Sequence, residues 1–418
     1  MPDSAAVDTR LPLAASLTLA YRNILRHRAR TATTIAAIAF GVTALILSQG
    51  LVKDIFVQLA EAVVHSQTGH LQVAKRDYFA HGTHRPMKFL LPDPEGDKAA
   101  IRQVAGVEDV MGRLNFPGLL SNGRADLAVL GEGVEPDKEA RLGTFVRYAA
   151  GRPLRAGDRY HAVVGHGVAQ ALSVKPGDSL TLLVSTAEGA MNTVDVELVG
   201  VFQSFSKEYD NRSVKLPLAT AQDLLATQGA NVLVVSLRST DDTERIAEVL
   251  RQRGGQHDEE VRTWSELNDF HPKTVLLYNR QFGGLLLIIL LMVLLSVANS
   301  VNMTVSERTA EFGTARALGN RSRDIFRLVL QENALLGIIG GALGVVIGVL
   351  LAKLVSIVGI PMPPPPNADL SYVAYVRITP LALLGAFSIG FAATVLAAVV
   401  PAIRVARIPV ALALREST

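Results

Sequence analysis

The densest run of ionisable residues lies at Ser306–Glu332. There Arg308, Arg316, Arg321, Arg323 and Arg327 are interspersed with Glu307, Glu311, Asp324 and Glu332. Charges of both signs on a short helix suit a surface that makes charge-assisted hydrogen bonds to a partner. They lack the paired nucleophile and base that covalent catalysis needs. Gly319-Asn320 should end the first helix of this run, because Gly or Asn is the usual residue past a helix C-terminus. Ser322 is the expected cap of the next helix.

Other chemistries find less support. His81 and His84 form an H-x-x-H pair with His65 and His70 nearby, but no Glu or further ligand pattern accompanies them. Exposed loop histidines are therefore expected, and no metal site. The chain has no cysteine, which excludes disulfides, thiolate nucleophiles and Cys-ligated zinc. No G-x-x-x-x-G-K-[ST] occurs to cradle a nucleotide, and no G-x-S-x-G offers a nucleophile elbow. No enzymatic activity and no directly bound cofactor are expected.

The elements that must position the charged run are stretches with no charge at all. Of 418 residues 49% are hydrophobic and only 19% charged, against about 25% in an average soluble domain. The deficit is concentrated in 31–52, 281–306, 333–352 and 378–403, which contain no Asp, Glu, Lys or Arg. Roughly 20 apolar residues cross a bilayer core, so these are four transmembrane helices, at 31–52, 282–305, 333–353 and 378–403. The composition excludes a soluble enzyme, a secreted disulfide scaffold and a nucleic-acid binder. Gly340, Gly344 and Gly348 give the third span a small-residue face for close packing.

Orientation follows from the positive residues, which stay cytoplasmic. Arg10, Arg22, Arg26, Arg28 and Arg30 precede span one, five arginines lie in 306–332, and Arg404, Arg407 and Arg415 follow span four. Leu354–Arg377 carries only Arg377. Both ends (1–30 and 404–418) and the 306–332 linker are thus inside, while 53–281 and the short 354–377 loop are outside. Within 1–30, Leu13, Leu17, Tyr21 and Ile24 share one helical stripe opposite Arg22, Arg26 and Arg30, an amphipathic helix whose cations lie near lipid headgroups.

The exterior segment 53–281 has 26 Lys/Arg and 30 Asp/Glu, net −4, so the remainder of the chain carries +7. Its two ends read as α/β pieces flanking a β-rich lobe at about 115–205, together an α+β domain. Lys53–His65 and Glu266–Arg280 are expected to be helical stalks continuous with spans one and two. The loop His81–Pro94 places Met87, Phe89, Leu90 and Leu91 between prolines beside Arg85 and Lys88. Apolar residues that find no local partner often mark an interaction site, so these four are candidates for contact with cargo or a periplasmic partner.

At this point a resemblance becomes specific. Glu307-Arg308…Glu311-Phe312-Gly313…Arg316-Ala317-Leu318-Gly319, followed by Ile325…Leu330…Glu332 and a glycine-rich span, resembles the signature of MacB/FtsX/LolC–LolE-type ABC transporter permeases. Ala20-Tyr21-Arg22-Asn23-Ile24 resembles that family's opening, and Pro401-Ala402…Arg404…Ala406-Arg407-Ile408-Pro409 its ending. Phe312, Thr314 and Asn320 depart from the usual pattern. Thr68–Val73 leans toward the lipoprotein-release branch.

The resemblance implies an inner-membrane permease that uses no ATP itself but works with two copies of a separate ABC ATPase and a second permease chain, identical or homologous. Glu307, Arg308, Glu311, Gly313, Arg316, Ala317, Leu318 and Gly319 would form the ATPase-coupling segment. Glu311 and Arg316 would contact the ATPase groove, with Leu318 packing beneath them. Transmitted motion of the exterior domain would then release lipoproteins or other amphiphiles, with a lipoprotein chaperone or adaptor as periplasmic partner. MacB-like tripartite export of peptides or small hydrophobic compounds, and FtsX-like control of cell-wall hydrolases, stay open. Because the chain is cysteine-free, single cysteines report topology: a thiol placed at Ser121 should react with an impermeant maleimide from outside, and one at Ala310 or Ser417 should not. Labelling in the opposite sense overturns the orientation.

Overall fold

The computed structural model describes residues 22, 26, 28–82, 85–186, 188–254, 258–268, 270–364 and 371–408. The amphipathic stripe expected at 11–30, His84 and the tail beyond Ile408 lie outside the described residues. The chain divides into two compact units. One comprises residues 1–55, 276–360 and 373–418, the other 56–275 and 361–372.

The membrane unit contains four helices long and apolar enough to span: Arg28–Val63, Phe270–Glu307, Ser322–Val358 and Pro380–Ala406. Helix one is their common partner. A Cβ on Gly340 would lie 2.9 Å from Ile38, one on Gly344 2.8 Å from the Ala39 carbonyl, and one on Gly348 2.9 Å from Ile46, so the small face of helix three seats helix one directly. Thr43 Oγ1 donates to the Gly344 carbonyl across this contact at 3.0 Å. Gly390 of helix four faces Val42, and Gly41 faces Val293 of helix two. In lipid, such close packing and interhelical hydrogen bonds replace the missing hydrophobic drive between helices. Helix two is the least covered, with Leu285, Leu287, Ile288, Leu291, Met292 and Leu295 exposed.

The outer end of helix one is clamped as well. Asp54, almost wholly buried, accepts from the Arg377 guanidinium at 2.7 Å and the Tyr375 N–H at 2.8 Å. The arginine that is alone in the 354–377 loop is thereby neutralised at the base of helix four.

The exterior unit is α+β. Its strands are β1 (Leu71–Lys75), β2 (Val107–Ser121), β3 (Asp126–Val134), β4 (Arg147–Gly151), β5 (His161–Gly165), β6 (Ser179–Ser185), β7 (Met191–Gln203), β8 (Ser213–Pro217), β9 (Val232–Leu237) and β10 (Glu259–Thr263). They run in the order β10-β1-β9-β2-β3-β8-β5-β7-β4, with β6 bridging β2 and β7. The strand β2 is the spine. Its first half pairs with β9 and its second with β3 and β6. The terminal α/β piece and the β-rich middle thus share one strand. Each has its own core, one around Leu71, Val110, Leu233 and Ile246, the other around Leu120, Leu182, Leu198 and Leu216. Ala60, Val63 and Val64 at the end of the first long helix pack with Trp264.

Near the middle of β2 a charged cluster is sealed inside. Arg113 Nη2 donates to Glu139 Oε2 at 3.0 Å and Nη1 to the Gln67 carbonyl at 2.7 Å. Lys215 donates to the other Glu139 oxygen, and Tyr209 Oη to Glu132 Oε2 at 2.8 Å. Burial opposes ionisation of Glu139, but the charges of Lys215 and Arg113 overcome it and hold the carboxyl at about 2. Since that folded value lies below the unfolded one near 4.3, the stability it contributes is full above about pH 4.5 and is lost as pH falls toward 2. Glu139→Gln leaves two buried cations sharing one carboxylate, Glu132, which lies 3.8 Å from Arg113, and the expected destabilisation is about 3 kcal/mol. Fluorescence of Trp264, the chain's one tryptophan, reports this: the variant should melt earlier and lose the steep acid dependence of the parent between pH 4.5 and 2. An unchanged profile would show that the cluster is not a stability determinant.

Candidate coupling site

The helix Thr309–Ala317 follows helix two after Arg308 and ends where Gly319 adopts φ +104°, a conformation open to glycine at little cost. The Asn320 N–H returns to the Ala315 carbonyl to close the turn. Helix three starts at Ser322, one residue earlier than a cap at that position would give. Its cap is Arg321, whose N–H donates to Asp324 Oδ2 at 3.0 Å. An aspartate at the third helical position serves the exposed N–H better than the Ser322 hydroxyl, which sits inside the first turn.

Two charges of this segment are buried and several of the exposed ones are held by partners within the chain. Arg308 and Glu332 are each only 7% exposed, and Arg308 Nη1 lies 2.8 and 3.1 Å from the two Glu332 oxygens. Arg308 Nε also donates to Glu311 Oε2 at 3.0 Å, and the guanidinium lies over the Phe312 ring at 5.0 Å. The second Glu311 oxygen accepts from Arg26 at 3.0 Å. Glu307 takes both terminal nitrogens of Arg30 at the inner end of helix one. Arg316 donates to the Ile408 carbonyl just past helix four.

This corrects the expected roles. Glu311 and Arg316 are occupied by intramolecular partners, and Leu318 does not pack beneath them. It is 84% exposed on the turn, with Ala317 and Gly319 exposed beside it. Gly313 and Phe312 are buried on the opposite face. The segment therefore presents an apolar tip, while its charges staple it to helices one and three and to the end of helix four. Sequence reasoning missed Arg26, Arg30 and Glu332 as members of the site. The signal available was position: each is a charge bordering a charge-free run at the same membrane face.

In the second candidate group Leu91 is buried, and Met87, Phe89 and Leu90 are half-buried. Leu91 is 3% exposed in the core around Leu71, Phe89 packs against Tyr78 at a ring separation of 6.1 Å, and Met87 and Leu90 pack on the core of the β-rich lobe. The segment is not an open loop: π-helical and 3-10 turns at Tyr78–Gly82 and Pro86–Phe89 fold these side chains inward. Their partners come from β9 and the turn before it, which local sequence could not reveal. His65 and His70 are also structural. His65 Nε2 lies 3.2 Å from Glu61, and His70 accepts the Leu237 N–H at Nδ1, while burial pushes His70 down to about 4. Among the described residues no three His, Asp or Glu side chains are placed to hold a metal ion.

Removing one member of the Arg308–Glu332 pair strands a buried charge, at a cost of about 3–5 kcal/mol. Arg308→Met should therefore melt far below the parent in detergent, and adding Glu332→Leu should restore most of the loss. A double variant no better than Arg308→Met would refute the pairing.

The comparisons agree with this architecture. The sequence profile of the MacB-like periplasmic core domain matches residues 31–253, more than half of the chain, and that of the FtsX-like permease C-terminal region matches 283–410. An uncharacterised ABC transporter permease of Methanocaldococcus jannaschii is 25% identical over 81% of this chain and 84% of its own. The lipoprotein-releasing system transmembrane protein LolC of Neisseria meningitidis is 25% identical over 77% of this chain and 76% of its own. The pyoverdine export ATP-binding/permease protein PvdT of Pseudomonas syringae pv. tomato is 28% identical over 60% of this chain but only 37% of its own. The periplasmic region of MacB from Actinobacillus actinomycetemcomitans covers 49% of this chain with a TM-score of 0.36 and 13% identity. With four spans and an α+β domain between the first and second, the chain belongs to the MacB/FtsX/LolC-type family of ABC transporter permeases, multi-pass proteins of the inner membrane with a periplasmic domain.

Proposed function

We propose that this permease couples ATP hydrolysis on a separate ATPase subunit to motion of its periplasmic domain, releasing lipoproteins or other amphiphiles from the membrane. One observation carries the reading: the segment that bears the exposed apolar turn Ala317–Leu318–Gly319 is continuous with helix two and is fastened by charge-assisted bonds to helices one and three and to the residue just past helix four. A load on that turn reaches helices one to four without passing through a flexible loop. The likeness to LolC over three quarters of both chains supports lipoprotein release.

Two ATPase copies and a second permease chain complete the assembly, the latter meeting the exposed face of helix two. A periplasmic chaperone or adaptor would receive the cargo. The partial match to PvdT favours a second reading, export of small molecules or peptides. ATP-dependent release of an acylated protein from proteoliposomes separates the two.

Leu318→Asp tests the docking itself. It replaces a side chain that touches little of its own chain, so the melting temperature should stay put while co-purification of the ATPase is lost. Normal co-purification and ATP-dependent activity in this variant would sink the proposal.

A further inference from the structure

Beside the coupling segment is a basic cleft of about 390 Å³ between the start of helix three and the end of helix four, lined by Arg316, Ser322, Arg323, Phe326, Ile403 and Arg407. Arg316 spends one nitrogen on the Ile408 carbonyl. Among the described residues, neither Arg323 nor Arg407 is ion-paired to a carboxylate, and both are exposed. Asp324, next to Arg323 in the chain, is engaged by the Arg321 N–H, and no acid lines the cleft among the described residues. Three guanidinium groups thus converge on one cavity with little to neutralise them.

The cleft continues into an apolar track. Leu396, Val400 and Ile403 are exposed on helix four at spacings of four and three residues, and Arg407 follows four residues later on the same face. Such spacing keeps side chains in one row. The row runs from the level of the hydrocarbon core to the cytoplasmic interface and ends at the guanidinium group. An anionic phospholipid has matching dimensions and polarity: acyl chains along Leu396 and Val400, the glycerol region against Ile403 and Phe326, the phosphate in the cleft. A free anion would leave the track unused, and an acidic protein segment would need the track to be clear of lipid.

We propose that this cleft is a binding site for the phosphate of an anionic phospholipid of the inner leaflet. It abuts the arginine that ties the coupling segment to helix four, so lipid charge would bear on how firmly that segment is held. Basic pockets between membrane helices on the cytoplasmic side commonly bind such headgroups.

The test uses the full chain in detergent, titrated with dioleoyl-phosphatidylglycerol or dioleoyl-phosphatidylcholine and read by native mass spectrometry. The parent should retain phosphatidylglycerol in preference to phosphatidylcholine. Arg323→Gln with Arg407→Gln should weaken that retention by about tenfold or more, while Lys at both positions keeps most of it. Arg404→Gln, on the same helix but outside the cleft, should change little. Circular-dichroism melts of each variant in detergent, dominated by the membrane helices, confirm that it is folded. Equal retention by the double Gln variant, or an equal loss in Arg404→Gln, overturns the site. Displacement by millimolar inorganic phosphate marks a free-anion site, and loss of ATPase binding with unchanged lipid retention marks a protein surface; either outcome refutes the lipid.

Discussion

The contact on which the membrane unit depends is the sealed pair Arg308–Glu332. Two charges removed from water lose hydration that their mutual attraction barely returns, so two apolar residues of similar size would hold the elements at least as firmly. What the ion pair adds is a heavy penalty for separation. Any register that parts helix three from the linker leaves a naked charge in an apolar surround. The linker is therefore held in one place against helix three, and Glu311, bonded to the same guanidinium, is held with it. Arg30–Glu307 and Arg316 extend the arrangement to helices one and four.

Helix one links this charged layer to the rest of the bundle. Its apolar middle seats Ile38, Val42 and Ile46 on the glycine face of helix three, which adds no side chain of its own there, and its outer end is tied by Asp54 to Arg377. Close packing of this kind has few alternative arrangements, because moving by part of a turn drives Ile38 or Val42 into glycine backbone. Motion of helix one together with helix three keeps these contacts, whereas rotation of one against the other breaks them.

The spans and their direction could be read from the sequence because bilayer thickness imposes a length and the membrane imposes a charge asymmetry, both local properties. The strand pattern of the exterior domain was likewise local, except in β2. Gly112, Arg113, Asn115, Pro117 and Gly118 interrupt its apolar pattern, and only partners on both sides make it one strand. Pairings were not legible at all. Arg26 and Glu311 are 285 residues apart, so the linker showed only the local Arg308 as a partner of its glutamate and not the distant one. The same limit misplaced Met87, Phe89, Leu90 and Leu91: a stretch without periodicity looks exposed until β9 and Tyr78 arrive to cover it.

Where the charges sit bears on what kind of transporter this can be. A carrier for ions or polar solutes places ionisable groups near the bilayer midplane, facing a hydrated path. Here the ion pairs of the described membrane unit lie at the two ends of helix one, Asp54–Arg377 outside and Arg30–Glu307 inside, with the Arg308–Glu332 cluster on the inner side. Between them Ile38, Val42, Leu45 and Ile46 meet glycine and aliphatic carbon. That layout leaves the described middle of helix one without an ionisable side chain, and it gives each end of the helix a firm hold on its neighbours. A helix gripped at both ends and smooth in the middle is what the proposed transmission of displacement across the membrane requires.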